Sequence, residues 1–161
     1  MTDTRLLIFA GSARSGSFTK KLAIATAALA EKTAAKVTFA DLADYPAPVY
    51  NSDDETANGL PQTMRDFKTL MQQHDGFIVV SPEYNGHVPP LLVNTFGWIS
   101  RTEGDEKGMV AFNDKKAAIM AASPGIRGGI RVIPRLRDTL AELGVVVVPV
   151  SYTHLTLPTK A

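Results

Sequence analysis

Five short apolar runs punctuate the chain, with helix-patterned stretches between them. Leu6-Leu7-Ile8-Phe9-Ala10 has no polar position, which predicts a strand buried on both faces and stopped by Gly11. From Ser17 to Lys32 the period lengthens, and Leu22, Ala25 and Leu29 are spaced for one buried helix face. Val37-Thr38-Phe39-Ala40 predicts a second strand. The connection after it holds Pro46 and Pro48 and is read as non-helical. A helix is then predicted to begin at Asn58 or Gly59, with Pro61 near its first turn and Met64, Phe67 and Met71 on its apolar side. Gly76-Phe77-Ile78-Val79-Val80 predicts the third strand, and Leu91 to Ser100 a helix with Leu92, Thr95 and Ile99 on one face. The fourth strand is predicted over Lys116 to Ala122, the fourth helix from Arg131 to Leu143, and the fifth strand over Val145 to Val148.

Alternating strands and helices imply an α/β fold, a doubly wound five-stranded parallel sheet covered on both faces. Right-handed crossovers favour the order 2-1-3-4-5, with a ligand at the carboxyl ends of strands one and three. Residues 1–150 read as one domain without internal repeats. Ser151 to Ala161 contains Thr153, Thr156, Pro158 and Thr159, a poor helix former. A final helix is therefore expected to be missing, and this irregular tail resembles a translated cloning or sequencing scar; an irregular native terminus is the alternative. Without that helix, the valine-rich strand is expected to be an aggregation or docking edge.

Candidate chemistry lies in the loops that follow strands one, three and four. Gly11-Ser12-Ala13-Arg14-Ser15-Gly16-Ser17-Phe18-Thr19 offers hydroxyls at Ser12, Ser15, Ser17 and Thr19, and a guanidinium at Arg14. Its glycines permit close backbone approach, and the following helix start adds unpaired amides, so the loop suits a phosphate. It lacks both the nucleoside-triphosphate ending and the three-glycine dinucleotide spacing. A serine-capped strand-to-helix turn is the competing reading; Arg14 favours the phosphate. Ser81-Pro82-Glu83-Tyr84-Asn85-Gly86-His87-Val88-Pro89-Pro90 has a proline-fixed path around a turn-forming Asn85-Gly86 and can line a flat heterocycle, with Tyr84 as an apolar wall. Ser123-Pro124-Gly125-Ile126-Arg127-Gly128-Gly129 can close the other end. Phosphate and heterocycle on one sheet edge point to a mononucleotide such as FMN.

Composition narrows the alternatives. The 161 residues carry a formal charge of +1, which gives neither a basic field for nucleic acid nor the acidic face of an electron carrier. Cysteine is absent, which removes disulfides, thiolate metal sites and a cysteine nucleophile of the phosphatase kind. His74, His87 and His154 lack metal-ligand spacing. The apolar runs are too short to cross a membrane, and the first residues lack a secretion signal, so a cytoplasmic protein is expected.

The three loops, together with Asn94 and Trp98, resemble the NAD(P)H-dependent FMN reductases of flavodoxin-like fold, including bacterial quinone and chromate reductases. The likeness runs from about Arg5 to Val150. Thr19 stands where the family usually has asparagine, Pro90 where it has glycine, Val93 lysine and Gly97 aspartate. The resemblance implies that Gly11, Ser12, Arg14, Ser15, Ser17, Phe18 and Thr19 surround the FMN phosphate. Pro82, Glu83, Tyr84, Asn85 and Gly86 would line the ring, and Ser123, Pro124 and Gly125 its ribityl or far edge. It further implies hydride transfer from NADPH or NADH to the flavin, then reduction of a small acceptor: free flavin, quinone, azo compound or metal oxyanion. The cofactor performs that chemistry, so no catalytic side chain and no metal is assigned. A homodimer or homotetramer is implied. The rivals are a flavodoxin-type electron carrier and a truncated chain that no longer binds flavin.

Overall fold

The computed structural model describes residues 4–149. Strands β1 (Arg5–Ala10), β2 (Lys36–Ala40), β3 (Gly76–Ser81), β4 (Lys116–Ala121) and β5 (Val146–Val147) pair in parallel, in the order β2-β1-β3-β4-β5. This is the doubly wound order expected from the alternation. β1 sits inside the sheet, with Ile8 opposite Phe39 on one side and Ile78 on the other. Successive side chains point to opposite faces. Leu7, Phe9, Phe77, Val79, Ala117 and Ile119 therefore join one core, while Ile8, Ala10 and Val80 join a second.

Helices α1 (Phe18–Ala30), α2 (Ser52–Asn58), α3 (Gln62–Gln72), α4 (Pro90–Ile99) and α5 (Val132–Glu142) complete the described residues, with a short 3-10 turn at Leu42–Asp44. The larger core lies beneath α3, α4 and α5, where Met64, Phe67, Met71, Leu92, Trp98, Ile99, Leu136 and Leu140 are buried. Edge-to-face pairs between Phe9 and Phe67 and between Phe96 and Phe112 add directional packing to that apolar burial. Trp98 and Phe96 are core residues. On the opposite face Ala23 and Ala27 of α1 pack with Ile8, Ala10 and Val80.

Two sequence expectations need correction. The buried face of α1 is Thr19, Ala23 and Ala27; Ala25 and Leu29 are exposed and Leu22 is half-buried. Small residues four apart let this helix lie close to the sheet, which sets its phase more strongly than the larger leucines do. Asn58 and Gly59 end a helix and do not begin one. Asn51 Oδ1 caps α2 by accepting from the Asp53 amide (2.9 Å), Asp53, Asp54 and Glu55 occupy its first turn, and Gly59 stops it at φ +70°. α3 then starts at Gln62, and its expected apolar residues are buried.

The proline-rich connection is not loose. Asn94 Oδ1 accepts from the Tyr50 amide (2.7 Å), while Asn94 Nδ2 and Trp98 Nε1 both donate to the Pro48 carbonyl (2.8 Å each). Asn94 and Trp98 thus anchor a loop to α4. β5 is shorter than expected, and Val146 and Val148 are exposed. Its end is engaged, however: the Arg137 guanidinium donates to Val147 O (2.9 Å) and to Val148 O just beyond it (3.0 Å). That arrangement blunts the edge against strand pairing, which the valine pattern did not reveal. Among the described residues no helix follows β5; the expectations for 151–161 lie outside them.

A buried lysine organises the loop before β4. Lys68 is 2% exposed, donates to Arg101 O (3.0 Å) and forms an ion pair with Glu106, which also accepts from Gln72 Nε2 (2.9 Å). The Lys68 hydrogen bond, then that from Gln72, holds the Glu106 carboxyl below its ordinary value of 4.5. A lowered folded value means that the contribution is present above the unfolded pKa and is lost as pH falls through the folded one. Glu106→Gln is expected to narrow its stability deficit against the parent as pH drops below about 4.5, measured as melting temperature against pH. Parallel curves would contradict the linkage.

Candidate functional site

β1 hands over to its loop at Gly11, whose amide donates to Val80 O (2.9 Å) and extends the β1–β3 ladder by one step. A Cβ at Gly11 would stand 2.6 Å from Leu92 Cδ1 and 3.2 Å from Pro89 Cγ. Glycine is needed there because the loop leaves the sheet pressed against the start of α4. The turn closes when Ser17 N donates to Arg14 O (3.1 Å). Ser17 Oγ then caps α1 by accepting from the Lys20 amide (3.3 Å) and shares a hydrogen bond with Thr19 Oγ1 (2.8 Å). Lys20 pairs with Asp41 (2.7 Å), tying this turn to the end of β2.

Both sequence readings of the turn therefore have structural content. Ser17 is a helix cap, and Ser12, Ser17 and Thr19 are buried. Arg14 is exposed, and its guanidinium makes no hydrogen bond or ion pair with a described residue. Among the described residues nothing holds that cation.

After β3, Tyr84 N donates to His87 O (3.2 Å) and His87 N to Tyr84 O (2.9 Å). Between them Asn85 has φ 54° and Gly86 φ 74°, the two positive values of a type I′ turn. Gly86 is buried at the turn's tip, beside the Arg131 side chain. Glu83 Oε2 accepts from the amides of Arg131 (2.9 Å) and Val132 (3.2 Å), the N-cap and first residue of α5. Arg135 Nη1 donates to Gly86 O. After β4, Ser123 Oγ accepts from the Gly125 amide (3.2 Å), and the Gly128 amide donates to Gly125 O (2.9 Å), folding the third loop on itself.

The three loops line a single cavity of about 280 Å³. Its walls are Ser12, Arg14, Ser17, Phe18 and Thr19 from the first loop, Pro82, Glu83 and Tyr84 from the second, and Ala122, Ser123 and Pro124 from the third. Of the residues singled out from sequence, Gly11, Ser15, Asn85, Gly86 and Gly125 stand outside this lining. Gly11 lies behind the loop, Asn85 and Gly86 form the turn tip, and Ser15 and Gly125 are exposed. Ala122 was missed, since a methyl side chain carries no chemical signal. His87 is exposed and does not line the cavity. A larger groove of about 630 Å³ lies at the amino-terminal ends of the strands, bordered by Leu6, Ile78, Ala118 and Val148. That groove is open sheet surface. The carboxyl-end cavity is the functional candidate, because the loops bearing the donors and the unused guanidinium converge there.

The donor set suits a phosphate-bearing planar ligand: a guanidinium, three buried hydroxyls, the amides at the start of α1, and two half-exposed rings, Phe18 and Tyr84. Because Gly11 abuts buried Leu92, Gly11→Ala is expected to destabilise the fold by about 1–3 kcal/mol. Gly16→Ala, whose Cβ would meet only the flexible Arg14 side chain, is expected to change stability by less than about 0.5 kcal/mol. Thermal or urea unfolding distinguishes the two; equal losses would refute the close-packing account of Gly11.

Comparison with known proteins agrees with this fold. A family model described as NADPH-dependent FMN reductase matches residues 4–156. The chain is 32% identical over 143 residues to a 2-hydroxy-1,4-benzoquinone reductase from Burkholderia sp, covering 89% of this chain and 73% of that protein. It is 31% identical over 137 residues to a quinone reductase from Escherichia coli K12, covering 85% and 69%. In structure it is similar to FerB, a flavoenzyme NAD(P)H:(acceptor) oxidoreductase from Paracoccus denitrificans, with a TM-score of 0.76, 28% identity, and coverage of 91% of this chain and 75% of that one.

Proposed function

Because the chain belongs to the NADPH-dependent FMN reductase family, an enzyme family of flavodoxin-like fold using FMN and NAD(P)H, we propose that its carboxyl-end cavity holds FMN and delivers NAD(P)H electrons to a quinone. The observation that carries the reading is the convergence of the three loops on one cavity, with Arg14 unengaged by any other described residue. Bound FMN would supply the redox chemistry, accepting hydride from the nicotinamide and giving two electrons to the acceptor.

The protein's part is positioning. Arg14 supplies a bidentate cation to the phosphate, and Ser12, Ser17 and Thr19, which line the cavity, supply hydroxyls. Thr19 and Ser17 already satisfy each other, so their hydroxyls are oriented before any ligand arrives. The α1 amino terminus adds a favourable dipole. Pro82, Glu83 and Tyr84 give a ring-side wall backed by the Asn85-Gly86 turn, and Ser123 with Pro124 bounds the far edge. Phe18 and Tyr84 expose apolar ring surface beside the cavity, which suits a flat, apolar acceptor. The quinone assignment also draws on the two quinone-reducing relatives. Free flavin, azo compounds and metal oxyanions are alternative acceptors.

We assign residues 1–150 to one FMN-binding domain acting in the cytoplasm as a homodimer or homotetramer. No helix of the described residues is long and apolar enough to cross a membrane.

Arg14→Ala is expected to weaken FMN binding by about 1.5–3 kcal/mol, roughly 10- to 150-fold, read from quenching of flavin fluorescence on titration. Unchanged affinity would remove the phosphate assignment. In steady-state NADPH oxidation, kcat/KM for a small benzoquinone is expected to exceed that for free FMN, and the reverse order would make the protein a flavin reductase.

A further inference from the structure

The proposal here rests on the cofactor cavity described above and concerns what holds its walls in register. Strand β4 leaves the sheet where the Ala122 amide donates to Ser81 O (3.4 Å). The same segment returns at Arg131 and Val132, whose amides both donate to Glu83 Oε2. Loop 123–130 is thus fastened at its start by Ser81 and at its end by Glu83, two residues apart on the preceding loop. No side chain of its own segment caps α5, so the cap arrives from 48 residues away. A carboxylate there also meets the positive end of the helix dipole.

A second latch reinforces the first. One turn into α5, the Arg135 guanidinium donates to Gly86 O at the tip of the type I′ turn. We propose that Glu83 is a positioning residue that joins loops 82–88 and 123–130 into one rigid wall of the cofactor site. Its Oε2 is an acceptor committed to structure. Since Pro82, Glu83, Tyr84, Ser123 and Pro124 all line the cavity, releasing this latch lets two walls move independently. Preorganisation would fall, and ligand affinity with it.

Amide hydrogen exchange of the cofactor-free protein, read over segments 82–88 and 123–135 in the parent, Glu83→Ala and Glu83→Gln, tests this directly. In Glu83→Ala both segments are expected to exchange at least about tenfold faster, as loss of charged hydrogen bonds implies. Glu83→Gln keeps an uncharged acceptor and is expected to fall between; it also guards against an alanine variant that fails to fold. FMN affinity should follow the same order. Faster exchange confined to 131–135, with 82–88 unchanged, would show a helix cap and overturn the coupling. Coupled exchange with FMN affinity unaltered in Glu83→Ala but lowered in Arg14→Ala would overturn the proposal and leave the cofactor site standing. Affinity unaltered in both variants would remove the proposal and the site together.

Discussion

The parallel pairing of β1 with β3 is the constraint from which the rest of the site follows. Its register, Ala10 opposite Val80, continues through the Gly11 amide to Val80 O and fixes where two loops leave the sheet. Because β2 lies on the far side of β1, the chain turns one way after β1 and the other way after β3. α1 covers one face and α4 the other, so the departing loops diverge and leave a crevice. β4 pairs with β3 through Ser81 opposite Ala121 and brings a third loop to the same edge. No one loop would form a site alone. The sheet makes three weak local features into one cavity.

The two cores serve that edge unequally. Helices α3, α4 and α5 bury large aromatic and aliphatic side chains against one face and hold β3 and β4 firmly. On the other face α1 lies close through alanines, which places its amino terminus directly after the first loop. Ser17 and Thr19 satisfy each other within that turn, so the loop's polar groups are ordered by the fold itself. Ser15 and Arg14 are exceptions, both exposed, and among the described residues no group engages the Arg14 guanidinium. A cation held out on a prearranged loop fits recognition of a phosphate better than it fits stability.

Strand order, the ends of α4 and α5, and the three loops were legible in the sequence because apolar runs and glycine-proline punctuation report local backbone directly. Helix phase was less so. Leu22, Ala25 and Leu29 gave a plausible stripe, but close approach to the sheet selected Ala23 and Ala27. α2 carried its own signal, Asn51 followed by three acids and closed by Gly59, which the neighbouring prolines at 46 and 48 obscured. The reach of Glu83 to Arg131 and Val132 had no sequence signal, since it depends on the third loop folding back to β3. The same is true of Arg137 at the end of β5.

The most direct test of the central claim, that three loops form one FMN site, is the chromophore of the purified protein. Heat denaturation of the folded, purified protein should release a yellow compound identifiable as FMN by chromatography, near one per chain after reconstitution. Colourless material that is cooperatively folded and takes up no added FMN would contradict the account.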